Sequence, residues 1–163
     1  MIQQVQSKSD DQIGYYILIA SDGYTLARPG TLVSAWSLAE RRLQAGAWAL
    51  YENTSNRHAL KPGDRVLIYL AGTMKAAQHF VAMSTIEEIH SPSKQALKEI
   101  DEDILGTRVH SILKLKDTTW LEPVGIKSKR EKLSFLPKHS RWGAALMGGC
   151  RRIFRDDFEA IVN

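Results

Sequence analysis

The sequence predicts an α+β fold: a small, curved, mixed β-barrel of five to six strands with helices packed outside it. Three observations carry this. Apolar runs of strand length, YYILIA at 15–20 and RVLIYLA at 65–71, are each bounded by turn residues. The segment 109–116 alternates Val109, Ser111, Leu113 and Leu115 with His110, Ile112, Lys114 and Lys116, the period of a strand with one wet face. Only one stretch, 32–45, keeps a helical period over three turns. Strands therefore outnumber helices, and a curved sheet closing on itself is the economical way to bury them.

The elements follow in order. Residues 15–20 read as a strand buried on both faces, stopped by Ser21-Asp22-Gly23. In 32–45 the apolar positions Leu32, Trp36, Ala39 and Leu43 line one face of an amphipathic helix; Pro29-Gly30-Thr31 precedes it and Gly46 stands ready as its C-terminal cap. Trp36 is thereby read as core. Lys61-Pro62-Gly63-Asp64 is a turn that launches 65–71 as a central strand, and 78–89 reads as the next. Residues 95–105 are acidic and helix-like, and Glu99, Asp101, Glu102 and Asp103 are read as a solvated face. A strand at 109–116 is followed by a separate one at 120–126, where Pro123 signals an edge or a bulge. The remainder mixes a short helix from Lys129, a Gly148-Gly149 break, a strand over 151–154 and a final helical turn, DDFEAIV.

At 163 residues and 44% hydrophobic content, residues 1–163 form a single domain with a substantial core. No apolar run reaches the ~18 residues of a membrane span and MIQQVQSKSDDQ lacks a signal-peptide core, so a cytoplasmic location without membrane partners is expected. The single cysteine, Cys150, rules out an intramolecular disulfide and a Cys-rich zinc site. The net charge of +4 is unevenly spread: residues 127–155 carry +8, and such segregation points to a polyanionic partner.

Catalytic motifs are absent. There is no Gly-x-Ser-x-Gly elbow, no His-Glu-x-x-His and no Walker-type loop; the five histidines match no metal spacing, and no motif requires a cofactor. Binding chemistry is better supplied. A pocket for a flat polar heterocycle needs an aromatic face, groups that reach the ring edge, and a cation for an attached phosphate. GAWALYENTSNRHALKPGDRVLIYLAG, 46–72, offers Trp48 as the face, Asn53, Ser55 and Asn56 for the edge, and Arg57 for a phosphate or for holding the loop. Tyr69 offers a second wall. The competing reading is that Trp48 plugs the barrel while the amides make turns.

Three stretches, YYILIAS, the 46–72 segment and KHSRWGAALMGGCRRIFRDDFEAIV, together resemble the EVE domain of the PUA-like superfamily, a relative of the YTH readers of methylated adenine. The similar positions are Tyr15 and Tyr16; Trp48, Asn53 and Arg57; Pro62, Gly63, Asp64 and Tyr69; and Trp142, Gly143, Gly148, Gly149, Asp157 and Phe158. The family often has Trp where Tyr16 stands, and its loop is often larger and less polar than LYENTSN. The resemblance implies a PUA-like barrel whose concave pocket takes a modified base, 5-methylcytosine or a relative, flipped from DNA or unpaired in RNA. In that reading Trp48 stacks, Asn53, Ser55 and Asn56 read the ring edge, Tyr69 and Trp142 close the pocket, and Arg57, Arg151 and Arg152 meet phosphates. With no nuclease or ATPase domain in this chain, it would act as a non-enzymatic reader, alone or with a separately encoded nuclease or other effector. Two rivals stand beside it: a hydrolase resembling the ASCH domains of the same superfold, with Lys61 and Glu52 as candidates, and a protein-interaction module whose basic tail binds an acidic partner.

Overall fold

A computed structural model describes residues 12–25, 28–100, 108–137 and 142–163. The strands are β1 (Tyr15–Ala20), β2 (Gly23–Tyr24), β3 (Leu32–Val33), β4 (Ala47–Tyr51), β5 (Arg65–Leu70), β6 (His79–His90), β7 (Val109–Gly125) and β8 (Cys150–Ile153). The helices are α1 (Ala35–Ala45), α2 (Lys94–Glu99), α3 (Ile126–Lys129) and α4 (Arg155–Val162), with 3-10 turns at Arg130–Lys132 and Trp142–Leu146. Six strands form one mixed sheet in the order β4-β7-β6-β5-β1-β8, while β2 and β3 pair separately. β1 and β5 run parallel and the other pairs are antiparallel. The sheet curls into a half-barrel, the α+β architecture expected.

The strand pleat divides the core. Tyr16 and Leu18 of β1, Val66, Ile68 and Leu70 of β5, and Trp48 and Leu50 of β4 pack under α1 through Leu38, Ala39 and Leu43. The alternate residues Ile17, Ile19, Leu67 and Tyr69 face the other way, onto Leu133, Leu136, Leu146 and α4's Phe158 and Ile161. Each large apolar side chain buried this way contributes about 1.5–3 kcal/mol relative to exposure. β1 is thus buried on both faces, as its unbroken apolar run requires.

Three sequence expectations shift. The helix begins at Ala35, not at 32, because Leu32 and Val33 pair with β2 and Ser34 caps the helix by accepting from the Ser37 N–H at 3.1 Å. The strands expected at 109–116 and 120–126 are one 17-residue strand that passes through Asp117 at φ +53° without leaving its partner β6. Its register against β6 slips around Pro123, between Phe80 and Ala82, which is the bulge that proline foretold. α2 covers 94–99; Asp101, Glu102 and Asp103 lie outside the described residues. Trp36 is half-buried at the margin of the core, 5.5 Å from Trp120, with the Lys75 ammonium 4.3 Å from its ring centroid.

Two polar latches hold the sheet. The buried Asp64 carboxylate accepts from the Gly14 N–H at 2.9 Å, the Lys61 N–H at 3.0 Å and the Lys61 Nζ at 2.8 Å, fastening the start of β1 to the start of β5. Gly63, at φ +94°, makes the turn that delivers it. At the opposite side, the loop after β4 crosses to the segment before β8: the Ser55 N–H donates to the Gly148 carbonyl at 2.8 Å and Asn56 Nδ2 to the Cys150 carbonyl at 3.1 Å. These bonds bring together the two outermost strands of the sheet order.

Gly148 sits at φ +93°, and a Cβ there would lie 2.4 Å from Ser55 Oγ. Gly148→Ala should therefore lower unfolding stability by about 1–3 kcal/mol, from backbone strain and the clash. Gly143→Ala, where a Cβ meets nothing within 4 Å, should leave a denaturant melt nearly unchanged. Burial pushes the Cys150 thiol up to about 12. The native thiol should stay protonated and unreactive to a thiol reagent at pH 8, labelling only as fast as the protein opens. The unfolded thiol ionises near its ordinary 9.0. Stability from this group should thus be complete below pH 9 and decline between 9 and 12, which a pH series of denaturant melts reads out.

Candidate functional site

Gly46 closes α1 in the left-handed region, φ +67°, and turns the chain directly into β4. The last turn of the helix is thereby set against the start of the strand. Arg42 meets Trp48 with its guanidinium carbon 4.9 Å from the ring centroid, and the Tyr51 ring at 5.8 Å. Its Nη2 donates to the Tyr51 hydroxyl at 2.7 Å. Beyond Tyr51 the buried Thr54 turns the chain, its Oγ1 accepting from the Tyr51 N–H at 2.8 Å. Asn56 takes φ +59°, a conformation asparagine tolerates, which lets its amide reach Cys150.

This corner of the molecule encloses a cavity of about 360 Å³. Its walls are the end of β1 (Ile19 and Ala20) with Ser21 after it, Leu38 and Arg42 of α1, β4 from Trp48 onward, Asn53 and Thr54, with Gly148 and Gly149 at the rim. A second cavity of about 610 Å³ lies past the same Ile19, Ser21, Gly148 and Gly149, lined also by Tyr69, Gln78, Lys127 and Met147. The Ile19 N–H bonds the Gly149 carbonyl at 2.9 Å, so this backbone junction forms the partition.

The structure brings Trp48 and Asn53 to one cavity. Trp48 is 1% exposed and belongs to the core beneath α1, so it is a wall and core member together, not an open stacking platform. Asn53 is exposed. Ser55 and Asn56 stand next along the loop but are engaged in the crossing to 148–150. Arg57 does the second of the two tasks expected of it: its Nη1 holds the Thr54 carbonyl at 2.9 Å, and its Nε is buried.

Other expected members are separated. Tyr69 packs on the opposite face of the sheet against Phe80, 5.0 Å between centroids, because it alternates with Ile68 and Leu70 along β5; burial pushes its phenol up to about 12. It faces the second cavity and does not join Trp48. Arg151 and Arg152, adjacent on β8, diverge for the same reason. Arg151 lies over Phe135 and donates to the Ala145 carbonyl at 3.3 Å, while the exposed Arg152 lies over Tyr16 at 5.9 Å. The Trp142 side chain and Lys138 and Arg141 fall outside the described residues. Of the residues considered for hydrolysis, Lys61 is paired to Asp64, and Glu52 is exposed on the loop. Among the described residues no group of three or more metal-ligating side chains gathers, and no helix is long and apolar enough to cross a membrane.

Sequence reasoning missed Arg42. Its signal was its spacing: it stands four residues after Leu38, on the buried stripe of α1, although the Arg41-Arg42 pair reads as solvated.

No protein-family model and no curated protein matches this sequence. Similar solved structures do exist. The N-terminal domain of Thermococcus gammatolerans McrB, bound to m5C DNA, has a TM-score of 0.55 at 13% identity over 91% of this chain and 94% of that one. The human THYN1 protein, in complex with 5-methylcytosine-containing DNA, has a TM-score of 0.51 at 13% identity, covering 91% and 95%. ASCH from Zymomonas mobilis has a TM-score of 0.53 at 11% identity, covering 91% and 93%. Matches across nearly the full length of every chain, at such low identity, establish a shared architecture: this chain has the PUA-like fold.

Proposed function

We propose that this protein is a non-enzymatic reader of a modified nucleobase, of the EVE kind, taking one base from DNA or RNA into the cavity beside Trp48. The observation that carries the reading is that cavity: an indole wall, a buried cation and the short polar side chains Asn53 and Thr54 converge in one concave site. That is the equipment for seating a heterocycle against an apolar wall and holding it by its edge. Support comes also from the two similar structures solved with 5-methylcytosine in DNA.

In this reading Trp48 presents the aromatic wall, and Asn53 reaches the ring edge. Ser55, Asn56 and Arg57 act on the loop, holding Asn53 and Thr54 where a base would enter. Phosphates are met by Arg152 and by the basic segment from Lys127 to Lys132, which carries four of the cations in the +8 stretch. Arg151 and Trp142 would act beside them, and Tyr69 would serve the neighbouring cavity that it lines. A nuclease or other effector would be a separate chain. A methyl mark supplies no hydrogen bond, so selection against the unmodified base rests on the apolar contact that the mark makes while Asn53 holds the ring edge close, and is modest.

An oligonucleotide with one modified base should bind about 5- to 100-fold tighter than its unmodified twin, the range one buried methyl or one edge hydrogen bond supplies. Asn53→Ala should bring that ratio towards one while general binding persists. Titrations across several cytosine and adenine modifications at a single salt concentration measure both. Equal affinity for every modification alongside strong general binding would replace the reader by a general nucleic-acid binder. Turnover of the bound nucleic acid or of a small amide, lost on Lys61→Ala or Glu52→Ala, would favour the hydrolase.

Replacing Arg151 and Arg152 by Gln should weaken all duplexes alike and reduce the slope of log affinity against log salt by about 0.9 per lost contact. An unchanged slope would assign these arginines to folding or to a protein partner.

A further inference from the structure

Arg42 is unlike the buried acids. Asp64 accepts three hydrogen bonds, and Asp157 accepts from the Ser134 N–H, the Ser134 hydroxyl and the Phe154 N–H. Both are saturated by the fold. Arg42, only 2% exposed, makes one side-chain hydrogen bond, to the Tyr51 hydroxyl, and its Nε has no partner among the described residues. None of the ion pairs among those residues includes it. A guanidinium carries five N–H donors, and a buried cation without a counter-charge or acceptors is costly. Trp48 and Tyr51 offset part of that cost through their ring faces. The remaining donors belong to a side chain that lines the 360 Å³ cavity.

Resting on the reader function, we propose that Arg42 is the specificity-determining residue of the pocket, donating from its fork to adjacent carbonyl and ring-nitrogen acceptors on the base. The chemistry is selective in sign. The fork has only donors, so it pairs with an edge bearing two neighbouring acceptors, such as N3 and O2 of a cytosine or O6 and N7 of a guanine. An adenine offers no carbonyl, and its amino group would oppose a donor to a donor. Asn53, with both an acceptor and a donor on its amide, complements whatever stands beside that edge. The pocket therefore favours oxo-bearing bases over adenine.

The test uses the full chain and otherwise identical oligonucleotides carrying 5-methylcytosine, N2-methylguanine, N6-methyladenine or no modification, with inorganic phosphate as a separate arm. Affinity is read by titration, and the Arg42 Nε–H by its nitrogen-15 NMR signal, assigned by its absence in Arg42→Lys. At least one oxo-base should bind about 10- to 100-fold tighter than N6-methyladenine, the discrimination one good bidentate pair supplies. Its binding should move the Arg42 signal, and Arg42→Lys, which keeps the charge and loses the fork, should erase most of the preference. The cytosine and guanine arms identify which acceptor pair is read.

Tightest binding of N6-methyladenine, or an Arg42 signal unmoved by a bound oxo-base, would overturn the assignment and leave the reader function standing. Phosphate that moves the signal and competes with the oligonucleotide would overturn it in favour of an anion site. No preference for any modification over the unmodified oligonucleotide would instead bring down the reader function itself. If Arg42→Lys does not fold, the wild-type affinities still decide between oxo-bases and adenine, and the Arg42 signal is assigned in wild type through its proximity to the Trp48 and Tyr51 rings.

Discussion

The crossing of the 52–60 loop onto residues 148–150 is the constraint on which the rest of the molecule depends. β4 and β8 lie at opposite ends of the sheet order, and the Ser55 to Gly148 and Asn56 to Cys150 hydrogen bonds tie the chain around them together. Each such bond is worth a net ~0.5–1.5 kcal/mol, a small sum beside the buried core. Its importance is geometric. The crossing curls the sheet, sets the rim of the Trp48 cavity and carries Asn53 and Thr54 to its edge. It also requires two consecutive residues with positive φ and no side chain, which Gly148 and Gly149 supply.

The opposite end of β1 is held by a different device. Asp64 turns the Pro-Gly-Asp corner into a three-donor latch, so that β1 and β5 start level and run parallel through all six residue pairs. Parallel neighbours need a crossover, and α1 with β4 provides it. The crossover is what brings Arg42 and Trp48 under the sheet. Asp22 secures its beginning, accepting from the Ala35 N–H at 2.8 Å and from the Thr73 N–H at 3.0 Å. The site is therefore suspended between fixed points: Asp22 at the entry of the helix, Gly46 at its exit, and the glycine pair across the cavity.

Polar burial separates architecture from function here. Asp64 and Asp157 are spent entirely on backbone and neighbouring side chains, as buried carboxylates in a stable scaffold should be. Arg42 is held by one hydrogen bond and two aromatic faces, its Nε has no partner among the described residues, and its side chain lines the cavity. Arg57 and Arg65 also bury an Nε without a partner among the described residues, but of the three it is Arg42 that lines the Trp48 cavity, where desolvated, positioned donors can meet an acceptor that arrives.

The sequence by itself determined the parts of this protein that depend on near neighbours. The unbroken apolar run of Tyr15–Ala20 could only be a doubly buried strand, Gly46 could only end a helix, and Pro62-Gly63-Asp64 could only turn into β5. Even the slip at Pro123 was written locally, in the missing N–H. It also supplied the cluster of residues, Trp48 with Asn53, that the cavity joins, because residues five apart at the end of a strand and the start of its loop cannot stray far. What only the tertiary structure decided was which residues share a face. Tyr69 and Trp48 part company because alternate residues of a strand point to opposite sides, and the sheet order that sets those sides comes from pairings between residues far apart in the chain, such as Tyr15 with Ile153. Arg151 and Arg152 diverge for that reason too. Arg42 entered the site because a helix capped at Gly46 folds back on the strand that follows it, and the energy of a buried cation depends on surroundings that no local spacing specifies.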